Sequence, residues 1–373
     1  MKIGVPKETR SGETRVAATP DSIKRLGSKV GGVKFLIETG AGTAAHFPDE
    51  SYKAVGAEIV DRKTALGAEL VLKLHRPAEE EVGLMSKGAL LLSTIEPFKN
   101  DGLMEKLAAQ GVDAIGLELV PRISRAQSMD VLSSQANIAG YRAVIEAAAH
   151  FGRFFSTMMT AAGSAKAAKV IVLGAGVAGL QAIATARRMG ANVEAFDVRP
   201  EVKEQIESLG AKFIEIDIGE SGSGTGGYAK ELSPEAKAKQ QKGLTERLKK
   251  ADIVITTAQI PGRPAPLLVT EEAVMGMAPG SVIMDMAAST GGNCALTEAD
   301  KIVVKNGVTL IGTTNLLSLV PSDASNFYAR NLVNLMYLIV KPGEPPTLNL
   351  DLQDEIVAAS LVTHAGAVRF QRR

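Results

Sequence analysis

Lys169-Val-Ile-Val-Leu-Gly174-Ala-Gly176-Val177-Ala-Gly179 is the stretch that decides the fold: an apolar strand runs into G-x-G-x-x-G, and a helical segment follows as far as Gly190. Each position has a physical reason. Gly174 permits a tight turn, Gly176 lets backbone approach a pyrophosphate, and Gly179 lets helix and strand pack closely. The helix that begins at Val177 offers free amides and the positive end of its dipole to an anion. The glycine pattern alone also fits a bare turn. Here Asp197 stands 18 residues after Gly179, at the end of the next apolar run, where an acid grips an adenosine ribose. Gly174, Gly176, Val177, Gly179 and Asp197 are therefore the candidate dinucleotide-binding residues. A carboxylate about 4 Å from a 2′-phosphate is repelled by roughly 4 kcal/mol at an effective dielectric near 20, so NAD(H) is expected over NADP(H), with Arg199 able to soften the penalty.

A second glycine pattern is a decoy. Gly40-Ala-Gly42-Thr-Ala-Ala45 fits G-x-G-x-x-A, but Pro48 follows where a helix would have to continue, so a turn is expected.

Outward from the first motif, apolar runs recur at Lys169–Gly174, Val193–Asp197, Lys212–Ile216, Asp252–Thr256, Ser281–Met286 and Val308–Gly312. These supply the six strands of a full dinucleotide fold. The first third repeats the rhythm: strands at Lys2–Val5, Val33–Ile37, Leu70–Leu74, Ala89–Ile95 and Ala114–Leu117, a helix opened by Thr19 and Pro20, and another over Gly102–Gln110. Ser134–Phe151 predicts a connecting helix with Ile138, Tyr141, Ile145 and Ala148 on one stripe. The stretch after Pro321 predicts a helix using Phe327, Leu332, Leu335 and Leu338, which returns to the first domain. The expectation is an α/β protein of two Rossmann-like, doubly wound parallel-sheet domains separated by a cleft: residues 1–134 with 320–373, flavodoxin-like, and residues 135–319, which bind the dinucleotide. Gly219–Gly227 (GESGSGTGG) and the Lys/Glu-rich stretch to Lys242 read as a mobile surface loop.

Composition narrows the function. With 42 basic and 41 acidic residues in 373, the chain lacks the one-sided positive field that phosphate-backbone binding needs, so nucleic acid is not an expected partner. Cys294 is the one cysteine and His46, His75, His150 and His364 are scattered, which leaves no internal disulfide or multi-cysteine metal site. No run of about 18 apolar residues exists and MKIGVPKE lacks a secretory signal's apolar stretch, so no direct membrane span is expected.

The segment Pro121-Arg122-Ile-Ser-Arg-Ala-Gln127-Ser-Met-Asp130-Val-Leu-Ser133 through Arg142 closely resembles the loop and helix of the NAD(H)-binding alpha subunits of proton-translocating NAD(P) transhydrogenases. The similarity extends through GVPKE, RVAATP, GVAGLQAIATA, GGYAKEL, ITTAQIPGRPAP and the GGNC segment. It implies that Arg122, Gln127, Asp130 and Ser133 surround the nicotinamide end, that Gln127 reaches toward a second nucleotide, and that Tyr228 closes over bound cofactor. It further implies NAD(H) as cofactor, partner subunits that bind NADP(H) and span the membrane, a homodimer, and a peripheral place on the cytoplasmic face of the inner membrane. Because the chain ends at Arg373 in a charged tail, the spanning part is expected on a separate polypeptide. From the residues alone, Arg122 with Asp130 equally fits a surface ion pair, and Tyr228 a solvated loop position.

Alanine dehydrogenases are similar as well, through GVPKE, RVAATP and the GAG-x-AG loop. Against them the resemblance implies three departures: His75 in place of a substrate lysine, Glu96 in place of a catalytic histidine, and the loss of an aspartate near Ser289, although Arg15 and Lys73 remain. Amine oxidation needs a base beside the nicotinamide. Hydride transfer between two nicotinamides needs only close approach, to about 3–3.5 Å. The functions left open are a transhydrogenase subunit, an amino-acid dehydrogenase, and a non-catalytic NAD(H) sensor.

Overall fold

Apolar runs too short for helices become strands buried on both faces, and the capped stretches between them become the helices that cover those faces. A computed structural model describes every residue except 100, 222, 224–231, 260–262 and 372–373. The chain divides into two compact units, Met1–Gln135 with Leu317–Arg373, and Ala136–Leu316.

The first unit begins with β1 (Lys2–Val5), β2 (Lys34–Glu38), β3 (Glu58–Val60), β4 (Leu70–Leu72), β5 (Leu90–Ser93) and β6 (Asp113–Gly116), all paired in parallel. Local chemistry sets the boundaries. Thr19 caps the helix Pro20–Lys29 by a reciprocal box with Ser22, with Pro20 opening the first turn and Lys29 in the last. The decoy glycines form a turn and a short 3-10 segment, Thr43–Ala45, and Pro48 caps a separate helix, Asp49–Lys53.

The second unit carries a small exposed hairpin, β7 (Met158–Thr160) with β8 (Gly163–Ala165), and then β9 (Lys169–Leu173), β10 (Asn192–Phe196), β11 (Lys212–Phe213), β12 (Ile253–Thr256), β13 (Val282–Asp285), β14 (Ile302–Lys305) and β15 (Val308–Ile311). Their order across the sheet is β11-β10-β9-β12-β13-β15-β14. All pairs are parallel except the last, so the six expected strands form the doubly wound sheet and β14 adds an antiparallel edge that periodicity did not announce.

The chain then returns. The helix Pro321–Ile339 packs in the first unit, the pair β16 (Val340–Lys341) and β17 (Thr347–Leu348) follows, and β18 (Leu361–His364) joins β6 antiparallel with β19 (Ala367–Val368) outside it. The completed sheet runs β19-β18-β6-β5-β4-β1-β2-β3.

Three expectations need correction. The Lys/Glu-rich stretch is not all loop: Ser233 caps a helix, Pro234–Leu248, that buries Ala236, Gln240, Leu244 and Leu248 at a spacing of four. In the connecting helix Val131–His150 the expected Ile138 is buried, but the inward face continues through Ala143, Val144 and Ala147, which leaves Ile145 and Ala148 half-buried and Tyr141 43% exposed. In Pro321–Ile339 the inward face runs through Tyr328, Leu332, Leu335 and Met336, which leaves Phe327 48% exposed on the other side. In the connecting helix size misled, because small residues let backbones approach more closely than an aromatic would; in Pro321–Ile339 the expected Leu332 and Leu335 are buried, and the buried aromatic is Tyr328 rather than its neighbour Phe327.

Candidate functional site

In the second unit, β10 and β12 flank β9 on opposite sides, so the connections leaving β9 and β12 run apart and open a crevice at the carboxyl ends of the strands. The glycine turn stands there. Gly174 has φ +101°, and a Cβ on it would lie 2.6 Å from Thr257 Oγ1. A Cβ on Gly179 would meet the Gly174 carbonyl oxygen at 1.9 Å, so the helix Val177–Arg188 is seated directly on the turn. Gly176 is the opposite case: it is exposed, and a Cβ there would meet nothing within 4 Å. It also caps the helix, and no side chain hydrogen-bonds that cap. An uncapped helix start beside open space has the chemistry to accept an anion, and a dinucleotide pyrophosphate would suit it.

Asp197 follows β10 and is 8% exposed. Its Oδ2 accepts the Ala175 amide at 2.7 Å and Arg199 Nη2 at 2.8 Å, while Oδ1 accepts the Arg199 amide and Nε, both at 2.9 Å. The carboxylate thus ties the turn to β10, and its own neighbour neutralises it. The hydrogen bonds to Asp197 in turn hold the Arg199 guanidinium above its ordinary pKa. Repulsion of a 2′-phosphate by a bare carboxylate therefore overstates the electrostatic preference; the charge met by a ligand is that of the pair. Glycine spacing contains no hint of Thr257, whose hydroxyl donates to the Gly174 carbonyl at 3.1 Å. Its one signal is position, directly after the strand beside the turn.

In the first unit, residues 124–129 form a short 3-10 segment that turns Ala126 and Met129 inward and leaves Gln127 exposed. The helix Pro321–Ile339 holds it: Asn331 and Asn334 donate to the Ser128 carbonyl at 2.8 and 3.0 Å. Arg125 adds a two-armed bond to Asp354 at 2.7 and 3.2 Å. Asp130 and Ser133 are brought together, with Asp130 accepting the Ser133 amide at 2.9 Å and hydroxyl at 2.6 Å. Arg122 is exposed. Tyr228 lies outside the described residues, as does most of the Gly219–Gly227 loop.

The residues that bear on amine oxidation fall into separate ion-paired groups, one of them beside a cavity of about 200 Å³ lined in part by Lys7, Glu8, Glu13 and Arg15. Arg15 is 7% exposed; its Nε and Nη2 bond Glu13 at 2.8 and 2.7 Å, and Nη1 donates to Gln135 at 2.9 Å. His75 Nε2 sits 2.6 Å from Glu13 Oε2. Lys73 pairs with Glu81 at 3.1 Å and Glu8 at 3.4 Å. Burial would raise the Glu13 carboxyl, but hydrogen bonds from Arg15 and His75 and the Arg15 charge hold it far below the usual carboxylate range. Both cations that could hold a substrate carboxylate are thus matched internally, and the Glu96 side chain lies 3.6 Å from Arg76 and pairs with Lys99. Among the described residues no group of His, Cys, Asp or Glu could hold a metal ion, and no helix is long and apolar enough to cross a membrane.

Comparison with known proteins matches both halves to one family. Residues 4–139 match the alanine dehydrogenase/PNT N-terminal domain and residues 143–371 its C-terminal domain. An NAD(P) transhydrogenase alpha-subunit polypeptide of Rhodospirillum rubrum is 50% identical over 99% of this chain and 97% of its own length. The crystal structure of transhydrogenase from Sinorhizobium meliloti superimposes with a TM-score of 0.86 at 42% identity, covering 99% of each chain. An L-alanine dehydrogenase structure gives a TM-score of 0.78 at 28% identity, over 99% of this chain and 97% of that one.

Proposed function

This chain belongs to the alanine dehydrogenase/PNT family, and within it we propose that it is the NAD(H)-binding alpha subunit of a proton-translocating transhydrogenase, an oxidoreductase that works with partner subunits. The observation that carries this over amino-acid oxidation is the internally paired Arg15–Glu13–His75 cluster, in which the Arg15 charge is matched by Glu13 and His75 Nε2 is engaged by the same carboxylate.

Bound NAD(H) supplies or accepts a hydride at C4 of its nicotinamide, a step that asks no side chain to remove a proton. The chain's residues bind and orient. The amides following Gly176 hold the pyrophosphate, and Asp197 with Arg199 meets the adenosine ribose. Arg122, Asp130 and Ser133 hold the nicotinamide end, Gln127 reaches from its exposed segment toward NADP(H) on a partner subunit, and Tyr228 closes over the cofactor. Proton movement belongs to a membrane-spanning partner, coupled through nucleotide-dependent conformations. The chain works as a homodimer at the cytoplasmic face of the inner membrane.

Reconstitution tests this reading. The chain alone should bind NADH, and hydride should pass from NADPH to an NAD analogue only when the NADP(H)-binding partner is added. Gln127→Ala should keep NADH affinity and lose transfer. No transfer in the complete pair would leave an NAD(H) sensor, and alanine-dependent reduction of NAD by the isolated chain would establish a dehydrogenase instead.

A further inference from the structure

Two loops meet beside the glycine turn, at the carboxyl ends of β12 and β13, and a pair of fully buried polar side chains stitches them together. Asp285, at the end of β13, is 0% exposed. Its Oδ1 accepts the Thr256 hydroxyl at 2.9 Å and the amides of Ala287 and Asn293 at 3.0 and 3.2 Å, and its Oδ2 accepts the Cys294 amide at 3.0 Å. Asn293, also 0% exposed, turns back across the gap. Its Oδ1 accepts the Ala258 amide at 3.1 Å, and its Nδ2 donates to the carbonyls of Ala258 and Pro266 at 2.9 and 2.7 Å. The next link is Thr257, whose hydroxyl donates to the Gly174 carbonyl and whose amide donates to Leu173 at 2.8 Å. A continuous path therefore runs Asp285, Asn293, Ala258, Thr257, Gly174.

The path lies on one side of the switch point. Asp197 marks the β10 side of the glycine turn, where the adenosine half belongs, and β12 lies on the other. An extended dinucleotide with its pyrophosphate at the turn must lay its second half over the exit of β12. We infer that Asp285 and Asn293 are positioning residues for that nicotinamide-side half: they clasp Thr257 and Ala258 against the glycine turn and so fix the shelf on which it rests. The inference rests on the NAD(H)-binding reading and extends it to residues that touch no ligand. Networks of this kind are stiff because each buried group left unpaired carries a full desolvation cost.

The experiment is calorimetric titration of the full chain with NADH and, separately, with AMP, which occupies only the adenosine half. Asn293→Asp preserves shape but turns two donated bonds into contacts between a carboxylate oxygen and carbonyl oxygens. NADH affinity should fall about tenfold or more while AMP affinity stays within about twofold. Equal losses for both ligands would reduce the pair to general scaffolding, and unchanged NADH affinity would remove it from the site; either overturns the inference. Should Asn293→Asp not fold, Thr257→Val removes only the last link and is held to the same NADH-against-AMP split. Wild-type protein that binds AMP but not NADH would instead sink the NAD(H) reading itself, an outcome seen before any variant is made.

Discussion

Gly179→Ala adds a single methyl group at the tightest contact of the phosphate turn. The new Cβ would lie 1.9 Å from the Gly174 carbonyl oxygen, 2.8 Å from its carbon and 3.1 Å from Thr257 Oγ1, whereas ordinary van der Waals contact begins near 3.4 Å. The gap of 3.4 − 1.9 = 1.5 Å has to be opened between backbone and backbone, because no flexible side-chain end can yield. Overpacking of this kind costs about 1–3 kcal/mol of stability. The same displacement carries the first-turn amides of Val177–Arg188 off the pyrophosphate, and charge-assisted hydrogen bonds are worth about 1.5–3 kcal/mol each. Loss of about 2 kcal/mol predicts NADH binding weakened roughly thirtyfold, together with a melting temperature lowered by several degrees. Calorimetric titration and a thermal melt measure the two separately. An alanine variant that binds NADH within twofold of wild type and melts at the same temperature would refute the claim that helix and turn are seated in contact.

Other consequences follow from particular residues. Asp197→Ala removes the acceptor for the Ala175 amide and for three donors of Arg199; NADH affinity should drop at least about tenfold, and unchanged affinity in titration would refute the ribose assignment. Glu13→Gln leaves Arg15 buried beside a neutral amide and should cost about 3 kcal/mol near neutrality. Because the folded Glu13 carboxyl is held below its ordinary 4.5, its stabilisation is present above that pH and is lost as pH falls below it. The difference in melting temperature between wild type and Glu13→Gln should therefore be widest near pH 7 and shrink in acid, and a gap independent of pH would contradict the pairing. Cys294 is 2% exposed and burial raises its thiol pKa, so a maleimide should label it only after denaturation; rapid labelling of native protein would contradict its placement.

Much of this protein was legible because it is local. The strand, G-x-G-x-x-G turn and helix occupy consecutive residues, Asp197 follows at the distance one helix and one strand require, and Thr19 with Pro20 marks a helix start by its own side-chain chemistry. Backbone conformation and hydrophobic period depend on near neighbours, so one chain suffices to read them. Helix faces were less legible: Ala143, Val144 and Ala147 are buried and Tyr141 is not, since what packs against a helix is chosen elsewhere in the chain. The polar site was least legible of all. That Arg15 is closed by Glu13 and Gln135, that Ser128 is held by Asn331 and Asn334, and that Asp285 reaches Gly174 through Asn293 and Thr257 are decided by groups 120, 203 and 206 residues apart and by loops from separate strands. Sequence alone determined the strand, tight glycine turn and helix; only the tertiary structure decided which charges are matched internally, because a buried polar group is defined by the partner that folding brings to it.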